Sequence, residues 1–225
     1  MKTIIHIKVF TLLILVTTFG CNDQQNGMSQ STPKYYPTAK EAIQQAKSDL
    51  LAVLKLNKEL AIGVDEKTLQ SAEAGDEVRQ INLDFNKLIN ADSTGDFEKM
   101  AAGEMSTVYP MVAGNRVITI VEIGKNEKGW SVTGLGGKST AQDLDIVKTA
   151  AGSGAVISIY DVPNLQTKVY GVKKDGVELF YTNYGDRFSL QQGVTAAQLI
   201  PVLKAAALEF NRRYGDELKK QKLVK

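Results

Sequence analysis

Histidine and cysteine are nearly missing from this chain. Of its 225 residues one is His6 and one is Cys21, so everything after Cys21 lacks imidazole and thiol. That excludes Ser-His-Asp and Cys-His nucleophilic catalysis from the remainder. The usual zinc sites and haem-attachment motifs go with them. An excess of either charge is missing too. Lys plus Arg number 27 and Asp plus Glu 25. Lys2 and Lys8 precede Cys21 and no acid does, which leaves 27 − 2 = 25 bases against 25 acids from there on. Such a balance creates no broad basic field, and nucleic acid is excluded as a partner. The apolar stretch Val9–Val16 is far short of the ~20 residues a spanning helix needs. The rest is globular in composition, 43% hydrophobic and 23% charged.

What is present at the start is an address. Lys2 and Lys8 form a basic n-region, Val9–Val16 an apolar run, and Gly20 precedes Cys21. That layout fits a secretory signal peptide over residues 1–20. Gly20-Cys21 at the end of the run resembles the lipobox of bacterial lipoproteins. The resemblance implies that Cys21 is lipidated, that the peptide before it is removed, and that acyl chains hold the new N-terminus on a membrane. Each buried methylene then contributes about 0.8 kcal/mol. The implied location is the bacterial cell envelope, on its periplasmic or cell-surface face. No second cysteine exists to pair with Cys21, and a free exposed thiol suits an oxidising compartment badly. Residues 21–37 are polar without an apolar period and read as a flexible tether. Residues 38–225 are then a single globular domain, with sub-halves at 38–151 and 152–225.

Local patterns order that domain. Thr38-Ala-Lys-Glu41 is a capping box, and Ile43, Ala46, Leu50 and Leu54 come next at helical spacing, predicting a helix to about Asn57. Residues 58–77 carry no clear period. Ile81, Leu83 and Phe85 alternate with polar residues as in a half-buried strand. The stretch 90–103 is turn-rich and then weakly helical. Val108–Val112 and Val117–Ile123 read as strands around Gly114-Asn115, a hairpin signal. A second turn at 125–129 leads to Trp130–Thr133. Ser139-Thr-Ala-Gln142 is another capping box, opening a helix to about Ala151. Val156–Val162 is a strand closed by Pro163-Asn164, and strands at 168–172 and 177–181 flank Asp175-Gly176. Thr195-Ala-Ala-Gln198 caps a last helix with Leu199, Leu203, Ala207, Phe210 and Tyr214 on one stripe; Pro201 should kink it or delay its start. Short turns argue for antiparallel pairing. The expected class is α+β: a hairpin-rich antiparallel sheet with helices packed on one face. The order βββα occurs at 107–151 and again at 156–214, consistent with a duplicated unit. Trp130, Tyr160, Tyr170, Phe180 and Tyr181 read as packing residues on strands.

Few motifs carry chemistry. Gly134-Leu-Gly-Gly137-Lys-Ser139 comes after a strand and opens a helix, as a phosphate-cradling loop does. That pattern needs glycine where Val132 stands, and its proteins use parallel sheets, so an NTPase is rejected. Free N–H groups of Gly136, Gly137 and Ser139 with Lys138 leave a candidate anion site. Residues 90–96 resemble a calcium loop, but Ala101 occupies the position of the bidentate glutamate. Asp92 and Asp96 are read as turn residues, with Asp96 capping the turn after it. Asp143 and Asp145, two apart on a helix, do not share a face and are no catalytic pair. Arg212, Arg213, Lys219, Lys220, Lys222 and Lys225 outweigh Asp216 and Glu217 by a local +4, a solvated helix end or a contact with anionic lipid. No catalytic residue, metal or cofactor is assigned. The expected function is a membrane-tethered, non-enzymatic domain binding a protein, glycan or small ligand. The alternatives are a carboxylate-based enzyme acting on envelope glycans, or an inhibitor of an extracytoplasmic hydrolase presenting the hairpin at 113–116 or 174–177.

Overall fold

The computed structural model describes residues 33–56, 64–92 and 95–221, the side chains up to Gly215. Helix α1 (Ala39–Leu56) starts where the threonine cap places it: the Glu41 N–H donates to Thr38 Oγ1 at 3.2 Å. Helix α2 (Glu66–Ser71) and the two-residue strand β1 (Glu73–Ala74) come next. Strand β2 (Val78–Leu83) stops one residue before Asp84, whose carboxylate accepts from the N–H groups of Asn86 and Lys87 and caps helix α3 (Phe85–Asn90). Phe85 therefore opens a helix instead of extending the strand, because the cap beside it outweighs alternation. The weak helix expected before 103 is a turn at 97–100 running into strand β3 (Ala101–Ala113). In that turn Asp96 accepts from the Glu98 N–H at 2.9 Å, the expected role.

Strands β3, β4 (Arg116–Asn126) and β5 (Gly129–Leu135) form a meander that leads into helix α4 (Lys138–Ala151). Then come β6 (Val156–Val162), a 3₁₀ turn at Pro163–Leu165, β7 (Thr167–Lys174), β8 (Val177–Tyr181) and helix α5 (Ala196–Gln221). The β7–β8 turn has positive φ at both Asp175 and Gly176, the geometry that matches strand twist. At the start of α5 the Thr195 N–H donates to Gln198 Oε1 at 2.9 Å, the backward arm of a capping box. Pro201 sits inside α5, which begins at Ala196 without delay.

The strand order is β5-β4-β3-β2-β6-β7-β8, with β1 beside β3. Among the described strands, β2–β6 pair in parallel and the other neighbours antiparallel. The α+β class stands, and β2 joins the proposed sub-halves into one sheet. The helices, however, occupy both faces. On β6, Ile157 and Ile159 pack with Ala141, Leu144 and Val147 of α4, while Tyr160 and Val162 pack with Leu199, Leu203 and Ala207 of α5. On β4, Ile120 belongs to the α4 cluster, and Val121 and Ile123 to a third cluster under α1. Successive residues point to opposite faces, so α4 covers one face and α1, α3 and α5 the other. The reason is in the strands: Ile159 and Tyr160, and Val169 and Tyr170, are adjacent apolar residues that are both buried, as two-sided burial requires.

The recurring βββα order is tested by the same geometry. β3 and β6 flank β2 and run in opposite directions, so a two-fold axis normal to the sheet carries one meander onto the other. Such a rotation keeps the helix after each meander on the same face. Helices α4 and α5 lie on opposite faces, and the recurrence is therefore one of element order, not of a repeated three-dimensional unit.

The domain also begins earlier than the composition suggested. Tyr36 and Trp130 exchange both backbone hydrogen bonds, at 2.7 and 2.9 Å, and the compact unit starts at Pro33. Residues 33–37 belong to the folded body and not to the tether.

Candidate functional site

Helix α4 borders four open depressions of about 400 to 530 Å³, lined by its residues together with those of α2, β3, β4, β6 and the loops around them. The residues expected to bind an anion fall at its N-terminus, but differently from expectation. The cap is Gly137, with no side-chain cap bond, and Ser139 lies within the first turn. The Ser139–Gln142 pattern does not form a capping box, because the helix cap falls two residues earlier, at Gly137. Gly136 spends its N–H on the Ile120 carbonyl at 3.1 Å. A Cβ on Gly137 would lie 2.7 Å from Ile120 Cδ1, so that glycine is required by the approach of α4 to β4. Of the expected set, Lys138 and the open N–H groups of the first turn remain. Lys138 shares a depression of about 410 Å³ with Arg116, Asp65, Thr68 and Gln142 over an apolar floor that includes Val117 and Ile118.

That groove carries both charge signs. Asp65 caps α2 through the Thr68 N–H at 2.9 Å and the Thr68 hydroxyl at 2.6 Å, and these bonds hold its carboxyl below its ordinary pKa. Arg116 is tied at 2.6 Å to Asp145, which also accepts the Val117 N–H at 2.8 Å. Asp145 is buried and Asp143 accepts from the Tyr170 hydroxyl at 2.8 Å. The two acids diverge, as their spacing implied. Burial first, then the Asp143 charge and hydrogen bond, push the Tyr170 hydroxyl far above its ordinary pKa. The arrangement has the chemistry to hold an anionic or mixed polar group on Lys138 above apolar floor atoms. It offers no paired free acids for hydrolysis.

Two further polar groups cross the sheet. On the α4 face Ser106 donates to Gln80 (3.3 Å), Gln80 to Asp161 (2.8 Å), and Lys168 lies 3.8 Å from Asp161. On the other face Arg79 bridges Glu98 and Glu104 at 3.3 Å each, and the Tyr160 hydroxyl donates to Glu98 at 3.0 Å. Burial, and after it the Glu98 bond, pushes the Tyr160 hydroxyl up as well. Each set ties neighbouring strands and turns, which is a structural use of its carboxylates. Sequence reasoning missed both, since their partners lie up to 81 positions apart.

Several expected residues have no described position. Cys21, Lys222 and Lys225 lie outside the described residues, as do residues 93 and 94 of the calcium-like loop. Among the described residues no group of three metal-ligating side chains converges, and no helix is long and apolar enough to cross a membrane. Arg212 and Arg213 both pair with Glu209, whose carboxyl their hydrogen bonds lower to about 2. Tyr160, Tyr170, Phe180 and Tyr181 are buried core residues. Comparison with protein-family models, curated proteins and solved structures finds no match to this chain.

Proposed function

We propose that this chain is a lipid-anchored protein of the bacterial cell envelope whose folded body is a non-enzymatic binding module. The observation that carries the reading is Gly20-Cys21 closing a basic-then-apolar leader, with Cys21 the chain's single cysteine. The folded body fits this: its compact unit begins at Pro33, twelve positions after Cys21 (33 − 21). Support for binding over hydrolysis comes from the acids at the groove: Asp65 caps α2, and Asp145 is tied to Arg116 and the Val117 N–H. The groove beside Lys138 is the binding surface favoured here, and the Lys138 ammonium next to the Thr68 and Gln142 side chains suits a small polar ligand with an anionic group.

Metabolic labelling with a fatty-acid analogue tests the anchor. Wild type incorporates label and fractionates with membranes; Cys21→Ala does neither. An unlabelled wild type recovered free of membrane overturns the reading. Calorimetry with inorganic phosphate and acetate tests the groove: Lys138→Ala should weaken whichever anion binds, and identical titrations would remove the groove from consideration.

A further inference from the structure

The folded body begins beside a cluster of lysines and aromatic rings. The Lys34 ammonium lies 5.2 Å from the Tyr36 ring centroid, that of Lys125 5.2 Å from Trp130, and that of Lys128 5.8 Å from Tyr35. Asn126 donates to the Tyr35 hydroxyl at 3.3 Å. One half of the cluster is the N-terminal segment, the other the tip of the β4–β5 hairpin, and the Tyr36–Trp130 backbone pair joins them. All three lysines are exposed and the three rings are half-buried. Glu127 is the one acid within 33–36 and 125–130, so the patch carries 3 − 1 = +2.

Those chemistries suit a headgroup layer. Tyr and Trp present an apolar ring with a polar edge, and lysine stems lie along apolar surface while their ammonium groups stay wet. Position adds a second argument. Twelve residues extend at most about 40 Å, so the end of the body that receives the chain at Pro33 is within reach of a bilayer that holds a lipid on Cys21. That end is this patch.

We propose that the Lys34–Tyr36 segment and the β4–β5 tip form the surface on which the domain rests against an anionic phospholipid bilayer. The proposal rests on the lipid-anchor reading of Cys21. Trp130 is the chain's single tryptophan, so its emission reports on this face alone.

The test uses the full chain recovered from membranes and reconstituted into two kinds of vesicle, phosphatidylcholine alone and phosphatidylcholine with phosphatidylglycerol. Co-flotation with the neutral vesicles reads the anchor; Trp130 emission and its quenching by acrylamide read the face. The expected result is flotation in both cases, with Trp130 blue-shifted and protected from acrylamide only where phosphatidylglycerol is present. Protection should disappear in 1 M salt, where screening acts over about 3 Å, and in the triple variant Lys34→Gln, Lys125→Gln, Lys128→Gln. The salt arm needs no variant to fold. An anchored chain with Trp130 equally accessible on both vesicles, or equally protected on both, overturns the docking face and leaves the anchor standing. A chain that fails to float with neutral vesicles overturns the anchor and the docking proposal with it.

Discussion

Tyr36 and Trp130 exchange both backbone hydrogen bonds, so the segment leading into the domain is an extra strand partner at the edge of β5. The contact leaves no room beside Gly129, where a Cβ would meet the Tyr36 carbonyl oxygen at 2.7 Å and φ is +124°. Gly129→Ala should therefore lift the segment off the sheet and strain the turn together, costing about 1–3 kcal/mol. Urea unfolding read by Trp130 fluorescence measures it. A loss under about 0.5 kcal/mol, the range of an ordinary surface change, would mean the clip does not hold.

Asp145 serves Arg116 and the Val117 backbone together, but the two members of the ion pair differ in exposure. The Arg116 side chain is 75% exposed and that of Asp145 10%. Arg116→Ala should cost under about 1 kcal/mol. Asp145→Ala strands a buried N–H on β4 and should cost about 2–3 kcal/mol. Equal losses would show that the ion pair, and not the backbone bond, carries the tie.

Gly137→Ala separates a packing glycine from a phosphate cradle. Its Cβ collides with Ile120 Cδ1, an overpacking cost of about 1–3 kcal/mol. Ile120→Val removes that atom and should recover part of the loss in the double variant. Strict additivity in the cycle would place the cause elsewhere.

Alkaline stability should fall in a defined window. The Tyr160 and Tyr170 hydroxyls are pushed up in the folded chain, by burial first and then by Glu98 and Asp143, while the unfolded tyrosine ionises near about 10. A raised folded value means the unfolded state loses its proton first. Stability is full below about pH 10 and declines above it, by up to about 1.4 kcal/mol per pH unit for each group. Tyr170→Phe should flatten that decline in thermal unfolding between neutral and alkaline pH. A decline of undiminished slope would assign it to other groups.

Much of the fold was legible because its signals are local. Gly114-Asn115 and Asp175-Gly176 fix two hairpins within four residues each, and Thr38 and Thr195 mark their helices through bonds to Glu41 and Gln198. The parallel pairing of β2 with β6, Gln80 opposite Ile159, has no local signature. Without it the two halves look like separate meanders and the helices like neighbours on one face. The adjacent apolar pairs Ile159-Tyr160 and Val169-Tyr170 were the available sign that both faces are covered. Ser139-Gln142 satisfies the capping pattern and still loses to Gly137, because the contact with Ile120 that sets the helix start is tertiary. The candidate groove was half visible: Lys138 stood out, whereas Arg116 and Asp65 are brought to it by β4 and the cap of α2, elements that no spacing in the chain connects.

Everything proposed for location and docking depends on what is attached at residue 21. Intact mass spectrometry of the chain extracted from membranes reads this directly. The expected mass is that of a polypeptide beginning at Cys21 and carrying acyl groups, with Cys21→Ala unprocessed and unacylated. A chain that retains Met1, without added lipid and found in the cytosol, would contradict the envelope anchor and every function built on it.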